Sequence, residues 1–254
     1  MTYQDLIDAL KPVARDAGAK IMAVYAKDPK ADFKGDGSPV TEADQAAEAV
    51  ILPALERLAP EIAVISEENA ASHNLKAPER FFLVDPLDGT KEFLKRDGKG
   101  SFTVNIALIE NGLPVMGVVF APALNRMFAG AAGLGAEEED ASGTRRIETR
   151  KTPPASGPVA VASASHRDQA TNDWLAANGV EQTVSIGSSL KFCLVATGEA
   201  DVYPRFGPTM EWDTAAGDAI LRAAGGHLQN PDGTTFAYAK PNYRNGPFIA
   251  RSNK

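Results

Sequence analysis

The chain has little cysteine and little histidine. Cys193 is its single cysteine, and it has three histidines among 254 residues. One cysteine excludes an internal disulfide and is compatible with a reducing compartment. Because apolar residues flank it, we expect Cys193 to be a small buried hydrophobe rather than a reactive thiol. The sequence has no H-E-x-x-H pattern, no G-x-S-x-G turn and no Walker-type lysine loop, which argues against a serine hydrolase and a P-loop nucleotide site.

Long apolar runs and positive charge are also scarce. No uncharged run approaches the roughly 20 apolar residues that a membrane-spanning helix needs, and the N-terminus does not have the layout of a signal peptide. We therefore expect a cytoplasmic protein with no integral membrane segment, whose association with the inner membrane, if any, is peripheral. The net charge of -7 argues against a general nucleic-acid surface. An anionic substrate would need cations placed locally, from a metal or a few basic side chains.

The N-terminal part of the chain alternates helices and polar stretches. Apolar residues at helical spacing predict an amphipathic helix over residues 2–27. A polar, glycine-containing stretch over 28–38 predicts a loop. A second helix is expected to begin near Thr41, with a capping box, and to end at Pro60. The acidic run over 137–140 is interpreted as a solvated surface turn.

The middle and the C-terminal part differ in rhythm. Residues 102–109 are apolar without clean alternation, which is typical of a strand covered on both faces. The proline-rich stretch 151–158 is the best candidate boundary, and strands and helices alternate after it. We expect an α+β subdomain over residues 1–155 and an α/β subdomain over 156–254, packed into one compact body.

The segment that joins the fold to the chemistry runs from Asp85 to Thr90, between a buried apolar run and a helix. Because Pro86 cannot continue a central strand, we expect the chain to turn there. Asp88, Gly89 and Thr90 then provide a helix start, which attracts phosphate. The carboxylates of Asp85 and Asp88 would repel each other unless they are protonated or bridged by a cation. The alternative is structural, with Asp88 capping the helix and Asp85 ending the strand.

Further carboxylates lie at the ends of predicted elements. Glu67 follows a short buried strand, Asp213 precedes a helix, and Asp44 lies near the start of the second helix. Each also has an ordinary interpretation, as a solvated strand exit for Glu67 and as a helix cap for Asp44 and Asp213. Oxygen ligands without a cysteine or histidine cluster favour Mg²⁺ over zinc.

Taken in order, these motifs resemble those of the inositol monophosphatase superfamily. The matching segments are Val40-Thr41-x-x-Asp44, Ser66-Glu67-Glu68, Asp85-Pro86-Leu87-Asp88-Gly89-Thr90 and Trp212-Asp213-x-Ala215-Ala216. The resemblance implies a layered αβαβα fold and phosphomonoester hydrolysis that depends on two or three Mg²⁺ ions. It also implies a set of metal ligands: Glu67, Asp85, the Leu87 carbonyl, Asp88 and Asp213.

The same resemblance assigns roles around the phosphate. Asp85 would bridge two ions, and Gly89 and Thr90 would meet the phosphate through backbone N–H groups. Asp44 would orient the Thr90 hydroxyl and, with Glu67, would help to deprotonate the attacking water. The metal ligands would thereby also contact the substrate.

Within the superfamily, the resemblance is strongest to the 3′(2′),5′-bisphosphate nucleotidases. It rests on residues 85–95, 102–109 and 203–209. It implies that the ribose and the non-scissile 5′-phosphate are held by Ser165, His166, Gly187, Lys191 and Arg205. Their ordinary interpretations stay open, since His166 could cap a helix and Lys191 could be solvated.

The expected function is therefore removal of the 3′-phosphate from adenosine 3′,5′-bisphosphate, with its sulfated precursor as a further substrate, in sulfur assimilation. Lithium should inhibit such an enzyme. The expected partner is a small bisphosphate nucleotide, and the expected state is a monomer or a homodimer. Two alternatives stay open: an inositol monophosphatase or broader sugar phosphatase, and a non-catalytic nucleotide-binding protein that has kept the fold.

Overall fold

The computed structural model describes residues 1–27, 32–33, 39–163 and 167–252. The α-helices are α1 (Tyr3–Tyr25), α2 (Glu42–Leu58), α3 (Thr90–Lys95), α4 (Gln169–Ala177), α5 (Leu190–Ala196) and α6 (Ala215–Ala223). The strands of the first half are β1 (Asp32–Phe33), β2 (Pro39–Val40), β3 (Ala63–Ser66), β4 (Arg80–Asp88), β5 (Thr103–Glu110), β6 (Leu113–Ala121), β7 (Arg126–Ala131), β8 (Gly135–Asp140) and β9 (Gly143–Ile147). The remaining strands are β10 (Val159–Ser163), β11 (Gln182–Ile186), β12 (Val202–Arg205), β13 (Thr209–Met210), β14 (His227–Gln229), β15 (Arg244–Asn245) and β16 (Phe248–Arg251).

The larger sheet is a meander with one parallel edge. Its strand order is β3-β4-β5-β6-β7-β8-β9. Strands β3 and β4 run parallel, with Ser66 opposite Val84, whereas each later neighbour is antiparallel. The tight turn at Asn111 and Gly112, both with positive φ, joins β5 to β6 and is the hairpin that this dipeptide predicts.

The smaller sheet carries the second half of the chain. Its order is β11-β10-β12-β16-β14. Strands β10, β11 and β12 are parallel, and β16 runs antiparallel between β12 and β14. Two-stranded ribbons pair β1 with β2 and β13 with β15. Strand β13 ends three residues before Asp213, so its pairing with β15 helps to fix the position of that residue.

The elements stack in five layers. Helices α1 and α2 cover one face of the larger sheet, and α6 covers the other face and packs against α5. Helix α5 in turn contacts the smaller sheet, against which α4 packs. On β4, Phe82 and Val84 belong to the core beneath α1 and α2, while Phe81 and Leu83 belong to the core between the two sheets. This alternation in a strand buried on both faces confirms the predicted αβαβα arrangement.

The structure corrects two local predictions. Strand β4 does not stop at Pro86; it continues to Asp88, with an irregular register between Asp85 and Asp88 that leaves Pro86 out of the ladder. Proline is tolerated at such an irregularity because no N–H is required there. The acidic run 137–140 is not a solvated turn either, because it forms the end of β8.

Long-range ion pairs explain the acidic strand. Glu138 is 1% exposed and pairs with Arg126 (2.6 Å) and with Arg145. Glu137 and Glu139 bind Lys11 and Arg15 of α1 at 2.5 and 2.6 Å. A buried carboxylate persists only when it is paired, and these partners come from a distant helix and from neighbouring strands.

The predicted helices are confirmed with small shifts at their ends. Helix α1 begins at a Thr2 capping box, and α2 begins at a Thr41 capping box and ends two residues before Pro60. Cys193 is fully buried on α5, as expected. No helix among the described residues is both long and apolar enough to span a membrane.

Candidate metal and phosphate site

Three carboxylates converge beside the ends of two strands and the start of a helix. Glu67 follows β3, and its backbone N–H donates to the Val84 carbonyl at 3.1 Å, which places it beside the carboxyl end of β4. Asp85 lies in β4, and Asp213 precedes α6. One oxygen from each of these three side chains falls within 4.8 Å of the others. The predicted convergence of carboxylates that are distant in sequence is therefore present.

The cluster is electrostatically costly without a cation. Burial and then the nearby Glu67 and Asp88 carboxylates raise the pKa of Asp85 well above its usual value. Burial and the Asp88 charge likewise raise the pKa of Asp213. For Asp88, burial is again the main cause and raises the pKa to about 6, although Lys191 opposes it. Such carboxyls are stabilised either by protons or by a cation.

The irregular end of β4 shapes a tight turn. The Leu87 N–H donates to Oδ1 of Asp85 at 3.0 Å, and the Thr90 hydroxyl donates to the Leu87 carbonyl at 3.2 Å. Gly89 caps α3 with φ 91° and no side-chain hydrogen bond, so Asp88 is not the cap. A Cβ at Gly89 would come within 2.9 Å of the Ser101 carbonyl. Only glycine fits at this position. The turn that it allows places Asp88 in the wall of the cavity.

Asp44 joins the cap of α2 to the turn. Its Oδ2 accepts hydrogen bonds from the N–H and the hydroxyl of Thr41, at 2.7 and 2.8 Å. Its Oδ1 lies 3.4 Å from the Thr90 hydroxyl, and the side chain is 2% exposed. The capping interpretation of Asp44 is therefore correct, and the contact with Thr90 that the family resemblance implies is also present.

Asp213 is held by the ribbon before it. Its Oδ2 accepts the Met210 N–H at 2.8 Å, whereas the cap of α6 is Thr214. The preceding Glu211 is fully buried and binds the backbone N–H groups of Ala239 and Lys240, each at 2.9 Å. Its pair with the Lys240 ammonium at 2.8 Å anchors the segment that carries Asp213.

Two basic side chains from the second half of the chain, those of Lys191 and Arg205, line the same cavity as the carboxylates. Gly187 lies in the cavity wall as well. Lys191 is 4% exposed, and its ammonium donates to the Ser188 carbonyl at 2.6 Å. Burial lowers the pKa of Lys191 to about 8, against the opposing effect of Asp88. Lys191 is thus not the solvated lysine of the ordinary interpretation.

Arg205 is fixed by carbonyl groups of the turn after β12. Its guanidinium donates to the carbonyls of Gly207 and Pro208, both at 3.1 Å, and it is 8% exposed. Gly187 leaves no room for a side chain, since a Cβ there would lie 2.6 Å from Cγ of Glu92. Ser165 and His166 lie outside the described residues.

Several lining residues were missed at the level of sequence: Glu92, Ser163, Ser188, Tyr203, Thr209 and Thr214. Tyr203 lies beneath the Lys191 ammonium, which is 5.2 Å from the centre of its ring. Glu92 belongs to α3, and its sequence context predicts only a helix. Glu92, Tyr203 and Thr209 lie within the segments 85–95 and 203–209 that carry the family resemblance, but nothing in their residue types alone distinguishes them from ordinary strand and helix positions.

Five layers of alternating helices and sheets, with carboxylates gathered at the strand ends, define a class of metal-dependent phosphatases. The family model of the inositol monophosphatase family matches residues 2–253, and the chain belongs to this family. The chain is 50% identical over 236 residues to the 3′(2′),5′-bisphosphate nucleotidase CysQ of Salmonella typhimurium, covering 92% of this chain and 94% of that protein. Its counterpart in Escherichia coli K12 is 48% identical over 236 residues, with the same coverage.

A solved structure shares the fold over nearly the whole chain. The crystal structure of CysQ from Bacteroides thetaiotaomicron, a bacterial member of the inositol monophosphatase family, superposes with a TM-score of 0.83 at 38% identity. The match covers 99% of this chain and 98% of that one.

The donor set fits a hard divalent cation. Glu67, Asp85 and Asp213 offer carboxylate oxygens and no sulfur or imidazole, which suits Mg²⁺ better than zinc. Their mutual repulsion and burial give a physical reason for a cation to bind between them.

Proposed function

We propose that this chain is a Mg²⁺-dependent 3′(2′),5′-bisphosphate nucleotidase, which hydrolyses the 3′-phosphate of adenosine 3′,5′-bisphosphate to give AMP and inorganic phosphate. One observation carries the proposal: the buried carboxylate cluster and the buried cations Lys191 and Arg205 line a single cavity. A substrate with two phosphates would place one beside the carboxylate cluster and its cations, and the other beside Lys191 and Arg205. The nucleotidase activity named for the relatives at 50% and 48% identity supports this choice.

The metal would be held by the first half of the cavity. Two or three Mg²⁺ ions would bind the carboxylates of Glu67, Asp85, Asp88 and Asp213 and the Leu87 carbonyl. When bound, they neutralise the negative charge of the phosphoryl oxygens and lower the pKa of water. Asp85 is central to the cluster, because the charges of Glu67, Asp88, Asp213 and Asp44 all act on its carboxyl and raise its pKa.

The chain's own residues would orient the attack. Thr90 would hold the attacking water. Its hydroxyl proton, which lies between the Leu87 carbonyl and Asp44, would be donated to Asp44 when the Leu87 carbonyl binds a cation. Asp44 and Glu67 would together help to remove a proton from that water. The water oxygen forms a new bond to phosphorus as the bond to the 3′-oxygen breaks, and the alkoxide takes up a proton from solvent and leaves as the alcohol. Backbone N–H groups of Gly89 and Thr90, at the start of α3, would bind the phosphoryl oxygens.

The second half of the cavity would select the nucleotide. Lys191 and Arg205 would bind the 5′-phosphate, and the close approach at Gly187 would let the ribose lie against the backbone. Ser165 and His166 are proposed to contact the nucleotide as well. Charge-assisted hydrogen bonds to a phosphate are stronger than neutral ones, so these contacts favour a bisphosphate over a monophosphate.

The wider setting follows from this substrate. We propose that the sulfated precursor of adenosine 3′,5′-bisphosphate is also hydrolysed, that the enzyme acts in sulfur assimilation in the cytoplasm, and that it works as a monomer or homodimer. Peripheral contact with the inner membrane is compatible with this role. The two sheets are proposed to mark subdomains over residues 1–155 and 156–254, with the active site between them.

A phosphate-release panel tests the proposal. The substrates are adenosine 3′,5′-bisphosphate, its sulfated precursor, AMP and inositol 1-phosphate, each with Mg²⁺, with EDTA and with Mg²⁺ plus lithium. We expect the highest kcat/KM for the bisphosphate, no turnover in EDTA and inhibition by lithium. Faster turnover of inositol 1-phosphate would favour a sugar phosphatase. Tight nucleotide binding without turnover at saturating Mg²⁺ would favour a non-catalytic binding protein.

A further inference from the structure

A buried polar network lies behind Asp88, and none of its three side chains was singled out at the level of sequence. The Ser189 hydroxyl donates to Oδ1 of Asn105 at 2.7 Å and lies 2.9 Å from the Thr103 hydroxyl. Thr103, Asn105 and Ser189 are 0%, 1% and 2% exposed. Burying three polar side chains costs free energy unless each of them forms hydrogen bonds.

The network ends on one oxygen of Asp88. Oδ2 of Asp88 accepts the Ser189 N–H at 2.5 Å and the Asn105 amide at 3.3 Å. These two N–H donors make charge-assisted hydrogen bonds to the carboxylate. They also fix the side chain, so that the second oxygen is the one left to bind a cation.

The network joins the two halves of the chain. Thr103 and Asn105 belong to β5 of the larger sheet, whereas Ser189 caps α5 beside the smaller sheet. Ser188, directly before it, has a left-handed φ of 52°, a conformation that the surroundings must impose on a serine. The Lys191 ammonium binds the Ser188 carbonyl at 2.6 Å. The turn at Ser188 and Ser189 therefore holds the Asp88 carboxylate through its N–H group and the Lys191 ammonium through its carbonyl group.

We propose that Thr103, Asn105 and Ser189 are positioning residues that hold Asp88 for the metal and couple it to the turn of Lys191. This inference rests on the proposed function for the role of Lys191, but the orientation of Asp88 does not depend on which phosphate is hydrolysed. Through the shared turn, a 5′-phosphate at Lys191 and a cation at Asp88 each strengthen the binding of the other. Such coupling is reciprocal by linkage.

The test measures Mg²⁺ affinity by isothermal titration calorimetry, without substrate turnover. Asn105→Leu should weaken Mg²⁺ binding about 10- to 100-fold, the range seen when partners of metal ligands are lost. Ser189→Ala and Thr103→Val should weaken it less, because the Ser189 N–H stays on Asp88. Ser189→Thr, which keeps the hydroxyl, should restore the affinity. Thr171→Val is the matched control, since it removes a buried hydroxyl from α4, outside the cavity lining.

The same titrations with AMP present test the coupling. AMP carries the 5′-phosphate and is the product of the proposed reaction. AMP should tighten Mg²⁺ binding in the natural chain, and Asn105→Leu should reduce this gain. Mg²⁺ affinities of Asn105→Leu and Ser189→Ala equal to that of the natural chain would overturn the inference, as would an equal loss in Thr171→Val. If AMP binds the natural chain without changing its Mg²⁺ affinity, the coupling is wrong. If the phosphate-release panel shows no turnover of the bisphosphate, the proposed function fails, while the AMP-free titrations still decide the role of the network.

Discussion

The Thr90 hydroxyl lies 3.4 Å from Oδ1 of Asp44, although 46 residues separate the two. We predict that Asp44→Asn lowers kcat about 10²- to 10⁴-fold, the usual contribution of a general acid–base group, with little change in KM. The neutral amide cannot accept hydrogen bonds on both of its heteroatoms, so the Thr90 hydroxyl loses its orientation. Initial rates at saturating Mg²⁺ measure this effect.

Thr41→Ala provides the control for that variant. It removes the hydroxyl that donates to Asp44 and accepts the Ala43 N–H in the cap of α2. The contact between Asp44 and Thr90 is left in place. We expect a loss of about 1 kcal/mol in the free energy of unfolding, as for other capping residues, with most of kcat retained. Equal losses of kcat in Asp44→Asn and Thr41→Ala would mean that Asp44 acts only as a cap.

Asp88→Asn should abolish turnover without loss of fold, because it removes a ligand charge and almost no core volume. In EDTA at pH 8 its Tm should equal or exceed that of the natural chain, since a buried like charge near Asp85 and Asp213 is gone. The rise in Tm on adding Mg²⁺ should shrink sharply. Asp232→Asn, in an exposed loop, is the matched control. Unchanged activity of Asp88→Asn would remove Asp88 from the metal site.

Metal removal should make stability depend on pH in a defined direction. The pKa values of Asp85, Asp88 and Asp213 are raised in the folded state. The folded protein therefore binds more protons than the unfolded chain above the ordinary carboxyl pKa of about 4. In EDTA, these groups should lower the free energy of unfolding as pH rises from about 4 through 6, the folded value for Asp88.

Mg²⁺ should remove this loss, because it replaces the protons that the carboxyls give up. The increase in Tm on adding Mg²⁺ should thus be larger at pH 8 than at pH 5, as measured by calorimetry in the same buffers with matched ionic strength. A Mg²⁺ effect of equal size at both values, or one that is larger at pH 5, would contradict a carboxylate metal site.

The sequence allows prediction of those site residues that mark the ends of elements. Asp44, Glu67, Asp85 and Asp213 stand where the sequence predicts helices or strands to begin or end. The structure brings Glu67, Asp85 and Asp213 together and places Asp44 beside Thr90. Residues within elements carry no such signal. Thr103 and Asn105 alternate with apolar residues in a buried strand, and only the packing of α5 against β5 reveals what they bind.

Contacts that depend on long chain separation were also beyond local reasoning. The acidic run at 137–140 resembles a solvated turn until Lys11 and Arg15 of α1, more than 100 residues earlier, are seen against it. Pro86 led to the wrong prediction that the strand ends there. Proline excludes a regular central strand but not the irregular register that β4 has. Lys191 was ambiguous because burial of a lysine depends on the surrounding fold.

Lys191 offers the sharpest test of substrate choice. We predict that Lys191→Ala raises KM for adenosine 3′,5′-bisphosphate more than for inositol 1-phosphate, because only the former has a second phosphate. Lys191→Met, which keeps the buried volume without the charge, should give the same pattern and so excludes a cavity effect. In the natural chain, KM for the bisphosphate should rise as pH rises through about 8, where Lys191 loses its proton. An equal change in KM for both substrates would show that Lys191 does not contact the second phosphate.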